Sequence, residues 1–274
     1  MLINTLAGLA IGYVLDMLFG DPKFFIYPQN MIKALAKKVE RAFRKAYADT
    51  AEAQRVAGIM YFLVVLVIVG GLSAVILMVC YKLWTVLGTL VEGIMCWSAI
   101  SVRNLRSSAS GVLRCAKAGN LMGAQRRLKE ITARDVSDLD LDETVKCTVE
   151  TISSNTTGWV IAPIFWIALL GGAGGLCYRA ISIMDGFVGT QTKKNRYFGA
   201  FAKKVNDIAA FIPAKISALL MKADAAFLKL NTRTFLSTPP HPMDIYWINQ
   251  VLNGVALMGV VLTMIVRTVL FFIF

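Results

Sequence analysis

Histidine is nearly missing from this chain: His241 is the single copy in 274 residues. Its scarcity removes the base on which Ser–His–Asp catalysis depends, together with imidazole-rich metal sites. Five cysteines (Cys80, Cys96, Cys115, Cys147 and Cys177) lie scattered with no CxxC pair, so zinc held by closely spaced thiolates is excluded too. Neither a GxxxxGK(S/T) loop nor a GxGxxG turn entering a helix occurs, which leaves out the common glycine cradles for phosphate. Charge is scarce as well. Only 17% of residues are charged and 57% are hydrophobic, with a mean hydropathy of +0.61, whereas soluble domains average about 25% charged. Too little polar surface remains to cover a water-soluble globule, and an apolar-rich chain does not stay disordered. The 21 glycines and 7 prolines follow no collagen-like period. What remains is an all-α, polytopic integral membrane protein.

Spanning a bilayer takes about 20 mostly apolar residues. The stretch 56–81 carries no charge and 83–101 carries only Glu92, so with Lys82 between them they predict a helical hairpin. Further spans are expected at 1–19, which holds Asp16, and at 245–266. Basic clusters flank the hairpin (Lys33, Lys37, Lys38, Arg41, Arg44 and Lys45 before it, Arg103, Arg106, Arg114 and Lys117 after it), which the positive-inside rule places in the cytoplasm. The net charge of +12 is read as these flanks, and nucleic acid is excluded as a partner because no binding motif accompanies them. Pro163 and the run from Gly171 to Gly175 interrupt 159–185. A broken or re-entrant pair of half-helices there returns the basic residues Lys193, Lys194, Arg196, Lys203 and Lys204 to the cytoplasm. Irregular backbone at membrane depth is tolerated where it lines an enclosed cavity; the same glycines also suit close helix packing. The stretch 208–221, with Pro213 and Lys215 inside it, is too short to span. The polar segment 102–157 forms a cytoplasmic helical layer, and the chain 1–274 reads as a single membrane domain with no internal repeat.

Two carboxylates, Asp16 and Glu92, sit in apolar runs, where an acid is a functional candidate by default. The densest acidic run, from Asp135 to Glu143, offers hard oxygen ligands for Mg²⁺. Asp140 or Asp142 alternatively caps a helix that begins near Glu143.

One ordered series goes further. Ile131-Thr132-Ala133-Arg134-Asp135 is followed by Val149-Glu150 and Ser154-Asn155-Thr156, then by Ala162-Pro163-Ile164-Phe165 and Gly171-Gly172. Next come Tyr178-Arg179-Ala180, Met184-Asp185, Val188-Gly189, Arg196-Tyr197, and Asp207 with Pro213-Ala214-Lys215. With Asp16, Gly20-Asp21-Pro22 and Pro28 at the start, this series resembles the CbiB/CobD family of membrane adenosylcobinamide-phosphate synthases. The resemblance covers residues 10–220. It implies ATP-dependent amide formation between a propionate of adenosylcobyric acid and aminopropanol or its phosphate, with Mg²⁺ and ATP as cofactors. By the same resemblance Asp135, Glu150, Asp185 and Asp207 are the catalytic candidates, and Asp135 and Asp185 are Mg²⁺ ligands. Asp21, Arg134, Asn155, Thr156 and Lys215 are the substrate or phosphate contacts. The expected partners are membrane lipids, a corrinoid, and further copies of the chain or other cobalamin-pathway proteins in the cell membrane.

The series also departs from the family pattern. Tyr27 replaces a histidine, Ala133 the glycine of GRDT, Ser154 the glutamate of ENT, and Gly158 an aspartate. Ser182-Ile183 stands for Asn-Thr, Gly186 for serine, Thr190 for tyrosine, Asn206 for aspartate and Ala210 for asparagine. No basic C-terminal stretch with an Asn-His motif is recognisable. The scaffold is thus kept better than the polar site, and a non-catalytic paralogue that binds a corrinoid or a partner protein is the alternative function.

Overall fold

The computed structural model describes residues 2–22, 27–132, 134–189, 192, 195–230, 237 and 239–273. Ala133, Thr190, Lys193 and Lys194 fall outside them. Every regular element among the described residues is helical. The order is α1 (Leu2–Phe19), α2 (Pro28–Ala46), α3 (Ala51–Leu83), α4 (Thr85–Ala99), α5 (Val102–Lys117), α6 (Leu121–Leu128), α7 (Leu141–Thr156), a π-helical turn (Thr157–Ile161), α8 (Ala162–Val188), α9 (Ala200–Phe227) and α10 (Pro242–Ile273). By length and composition four helical stretches are long and apolar enough to cross a membrane: Ala51–Leu83, Thr85–Lys117, Leu141–Val188 and Pro242–Val269. The helix Asn4–Phe19 is apolar but shorter.

Local chemistry explains most of the boundaries. Only Trp84 separates α3 from α4, so these two fold back on each other, and Tyr81 near the end of α3 hydrogen-bonds Glu92 on α4. Helix α1 lies against α4 at Gly12, where an added Cβ would meet Cys96 and the Gly93 carbonyl. The Asp140 carboxylate accepts from the Glu143 N–H at 2.8 Å and forms a capping box, fixing the start of α7 where the acidic run ends. That outcome gives the tail of the run a structural role.

Helix α8 is two half-helices. Gly171 has φ 71° and ψ −168°, a region essentially confined to glycine, and there the chain reverses. Gly175 packs against Ile167, eight residues back, which in a straight helix would be about 12 Å away. The Arg179 guanidinium lies 5.3 Å from the ring of Trp159, twenty positions earlier. The expected re-entrant segment is therefore present, with its tip at Gly171 and not at Pro163, which sits in the first turn of α8.

Two charged side chains, the buried Glu92 and the half-buried Arg267, close the broken ends. The Gly172 N–H, freed by the reversal, donates to Glu92 Oε1 at 3.1 Å. The Ala168 carbonyl, left open on the other arm, accepts from Arg267 Nε at 2.5 Å. Asp16 acts likewise at another junction. Its Oδ2 accepts from the first two N–H groups of α5, Val102 at 2.9 Å and Arg103 at 3.2 Å, while Arg103 Nη1 donates to the last carbonyls of α1, Met17 at 3.0 Å and Leu18. Orphan groups at helix ends need partners where water is excluded, so both acids singled out in apolar runs serve as caps.

The two prolines free carbonyls that are then used. Pro163 cannot donate to Trp159, four residues back, and that carbonyl accepts from Ser101 N at 3.1 Å. Pro213 leaves the Ala209 carbonyl open, and the Trp166 indole donates to it at 3.2 Å. Supported in this way, α9 continues through Pro213 as a 28-residue helix. It contains the whole 208–221 stretch, which is too short to span by itself, and it exposes Ile208, Phe211, Ile212 and Leu219.

Candidate functional site

Where the returning arm of α8 emerges beside α2 and α5, a cavity of about 350 Å³ opens. Gln29 and Lys33 of α2, Asn104 of α5, Glu130 to Thr132 after α6, Trp159, and Ser182, Ile183, Gly186 and Phe187 of α8 line it together with Arg179.

Arg179 is the organising charge. It is only 3% exposed, and an arginine buried that deeply is stable only when paired and hydrogen-bonded. Its Nη2 donates to Ser101 Oγ at 2.9 Å, and Ser101 Oγ donates on to Asp21 at 3.0 Å. Gln29, with its amide oriented to suit both neighbours, accepts from Arg179 Nε at 3.0 Å and donates to Asp21 Oδ2 at 3.2 Å. Tyr27 completes the network. Its hydroxyl lies 3.2 Å from Asp21 Oδ1 and 3.3 Å from the Trp97 carbonyl, and burial followed by the Asp21 charge pushes it well above the ordinary phenol range. Asp21 thus anchors Arg179 from behind through Ser101 and Gln29. The guanidinium is held in one orientation over Trp159, at the wall of the cavity.

Lys33 supplies the second cation. Desolvation, reinforced by the Arg179 charge, pulls its ammonium below the usual lysine value. Glu130 is the single acid on the lining, and both its oxygens are engaged, by Ser108 at 3.0 Å and Arg127 at 3.0 Å. Two cations and the neutral polar groups Gln29, Asn104, Thr132 and Ser182 suit an anionic group such as a carboxylate or phosphate.

The residues named from the sequence divide. Asp21 belongs to the network. Asn155 reaches it indirectly, donating to the Ile131 carbonyl at 2.7 Å and so steadying the lining segment. Thr156 is buried and donates to Ile152 of its own helix at 2.7 Å. Asp135 is fully exposed, and hydrogen bonds from the Ser137 side chain and N–H draw its carboxyl below the usual range. Arg134 and Glu150 face each other at 3.5 Å, Asp185 accepts from Asn206 at 2.8 Å, and Asp207 pairs with Lys203 at 3.5 Å. Lys215 is on the exposed face of α9, its ammonium 4.4 Å from the Phe211 ring, and is not among the lining residues. Asp135, Glu150, Asp185 and Asp207 each have a separate partner, and no group of three or more His, Cys, Asp or Glu among the described residues is placed to hold a metal ion. The donor set fits an anion and does not fit a Mg²⁺ caged by protein.

Arg179, Lys33, Gln29, Ser101 and Asn104 were not singled out from the sequence. For Arg179 a signal existed, since it is the lone charge between Trp159 and Met184, and an isolated intramembrane charge marks a functional candidate. The others look like ordinary polar positions until the fold gathers them.

Comparison with known proteins supplies the family. The family pattern described as CobD/CbiB protein matches residues 9–246, a range that contains every residue of the network and cavity. A cobalamin biosynthesis protein CobD of Clostridium perfringens is 31% identical over 81% of this chain and 70% of its own length. The CobD protein of Pelobacter propionicus is also 31% identical, over 81% of this chain and 68% of its own length. A cobalamin biosynthesis protein CbiB of Salmonella arizonae is 29% identical over 83% and 71%. No solved structure matches. The chain, an all-helical protein with several apolar helices of membrane-crossing length, belongs to the CobD/CbiB family.

Proposed function

We propose that the protein acts in cobalamin biosynthesis as an adenosylcobinamide-phosphate synthase, joining a propionate of adenosylcobyric acid to aminopropanol or its phosphate while embedded as a multi-pass protein of the cell membrane. The observation that carries this reading is Arg179, buried, anchored through Ser101 and Gln29 to Asp21, and set beside Lys33 on a cavity of about 350 Å³. That volume lies near the lower end of ligand pockets, about 300–1,000 Å³. It suits one arm of a corrinoid or the small amine, and a corrin ring would rest outside the mouth. Arg179 and Lys33 would hold a carboxylate or phosphate, and the Asp21 network would keep the guanidinium fork aimed at it. Ile131, Ile183 and Phe187 exclude water from that contact. ATP supplies the activation that a carboxylate needs before an amine can displace its oxygen. Among the described residues no carboxylate cage for a metal is built, and Mg²⁺ would enter with the phosphates of ATP.

The test is direct. Purified protein with adenosylcobyric acid, aminopropanol phosphate, ATP and Mg²⁺ should yield the amide, read as the corrinoid's mass increase. Arg179→Lys, which keeps the charge but loses the two-pronged geometry, should abolish product formation and weaken corrinoid binding. Changing Asp135, Glu150, Asp185 and Asp207 singly to their amides, with binding and product both measured, identifies which of them act. Absence of product from wild type in the presence of all four components refutes the synthase reading.

A second reading has its own support. Ser182, Ile183 and Gly186, three of the positions at which the chain departs from the family pattern, all line the cavity, and no atom lies within 4 Å of where a Gly186 Cβ would be. A paralogue that binds a corrinoid without ligating it would show corrinoid affinity, no product, and indifference to ATP.

A further inference from the structure

A second polar recess, of about 540 Å³, lies along α5, lined by Arg103, Arg106, Ser107, Ser110, Leu113 and Arg114 with Met17 of α1. No acid is on this lining, and none of the three arginines forms an ion pair among the described residues. The spacing of 103, 106 or 107, 110 and 114 puts them in one stripe along the helix. The three arginines are exposed and bring like charge together with no counter-ion on the lining, so the recess is complementary to an anion.

Its depth follows from the neighbouring helices. Arg103 grips the last carbonyls of α1 at Met17 and Leu18, and Val14 and Leu18, one turn apart on α1, are exposed apolar side chains. On the other flank, Asn249 of α10 donates to the Arg106 carbonyl at 3.2 Å and to Ser110 Oγ at 3.0 Å. The second turn of α10 carries the exposed pair Tyr246 and Trp247, the residue types that collect at membrane–water boundaries. The recess therefore sits where two apolar helices leave the hydrocarbon, with arginines above and lipid-facing side chains below.

We propose that this recess binds the headgroup of an anionic phospholipid of the adjoining leaflet. The phosphodiester lies among Arg103, Arg106 and Arg114, the headgroup hydroxyls meet Ser107 and Ser110, and an acyl chain runs down α1 along Met17, Leu18 and Val14. This site is separate from the Arg179 cavity and does not depend on the synthase reading.

The test uses the whole protein in neutral detergent, offered equal amounts of phosphatidylglycerol and phosphatidylcholine, with retained lipid counted by native mass spectrometry. Wild type should retain phosphatidylglycerol preferentially. Arg106→Gln with Arg114→Gln leaves the helix-capping Arg103 intact and should lower that preference roughly 30-fold, from the usual contribution of two interfacial cations. Lys38→Gln with Arg41→Gln, an equal loss of charge on exposed positions of α2, should leave it unchanged, and thermal stability of both variants should match wild type. Equal retention of the two lipids by wild type, or equal loss in both double variants, overturns the proposal. So does full displacement of phosphatidylglycerol by inorganic phosphate, which would make the recess a site for the free ion.

Discussion

Replacing Gly171 by alanine tests the hairpin at its tip. The residue holds φ 71° and ψ −168°, where a side chain costs about 1–3 kcal/mol in backbone strain. A Cβ built there would also come within 2.8 Å of Glu92 Oε1, the atom that accepts the Gly172 N–H. Displacing that carboxylate leaves a buried N–H unpaired, at about 1–3 kcal/mol. Together the two effects amount to about 2–6 kcal/mol. Gly71→Ala is the matched control. That glycine lies inside helix α3 with nothing within 4 Å of an added Cβ, and the change should stabilise by up to about 1 kcal/mol through helix propensity. Thermal unfolding of detergent-solubilised protein reads both. At about 2–4 °C per kcal/mol for a chain of this size, Gly171→Ala should lower the midpoint by about 4 °C or more and Gly71→Ala should not lower it. Glu92→Gln completes a double-mutant cycle, in which the combined loss should fall short of the sum because both changes disturb one hydrogen bond. Equal midpoints for the two alanine variants would refute the claim that the reversal at Gly171 and its Glu92 cap hold the fold.

Three further outcomes are expected. Trp166→Phe should cost about 1–3 kcal/mol by stranding the Ala209 carbonyl, and much less in a Pro213→Ala background, where a backbone N–H is restored to it; chemical or thermal denaturation of the four proteins gives the coupling. Asp16→Ala should destabilise by about 0.5–2 kcal/mol through loss of the α5 cap, and Asp16→Asn by less, measured in the same way. Lys33 has its ammonium value lowered from the ordinary 10.5, so the unfolded chain binds more protons between the two values. The stability of the empty protein should therefore rise with pH through that window, while affinity for an anionic ligand falls. Lys33→Met should remove both slopes, as followed by ligand titration and melting across pH.

Much of this molecule is legible one segment at a time. Membrane class follows from apolar content and span length, the start of α7 from the acidic cap beside Glu143, and the interruption of 159–185 from its glycines, because each depends on hydrophobicity or backbone freedom within about one helix length. The ordered motif series likewise carries the family. What a charged side chain does depends instead on what another segment brings to it. Asp16 and Glu92 look alike as acids in apolar runs, and only packing shows that they cap α5 and the second half of α8. Asp135, Glu150, Asp185 and Asp207 share a motif series, yet each finds its own partner, and Lys215 turns onto the exposed face of α9. Arg179 becomes the centre of the site because the chain reverses at Gly171 and carries it back to Trp159, where Ser101, Gln29 and Asp21 arrive from the α4–α5 junction, α2 and the α1–α2 connection. Electrostatic pairing acts over a few ångströms in space across separations of 78 residues and more in the chain, so the tertiary fold alone decides it.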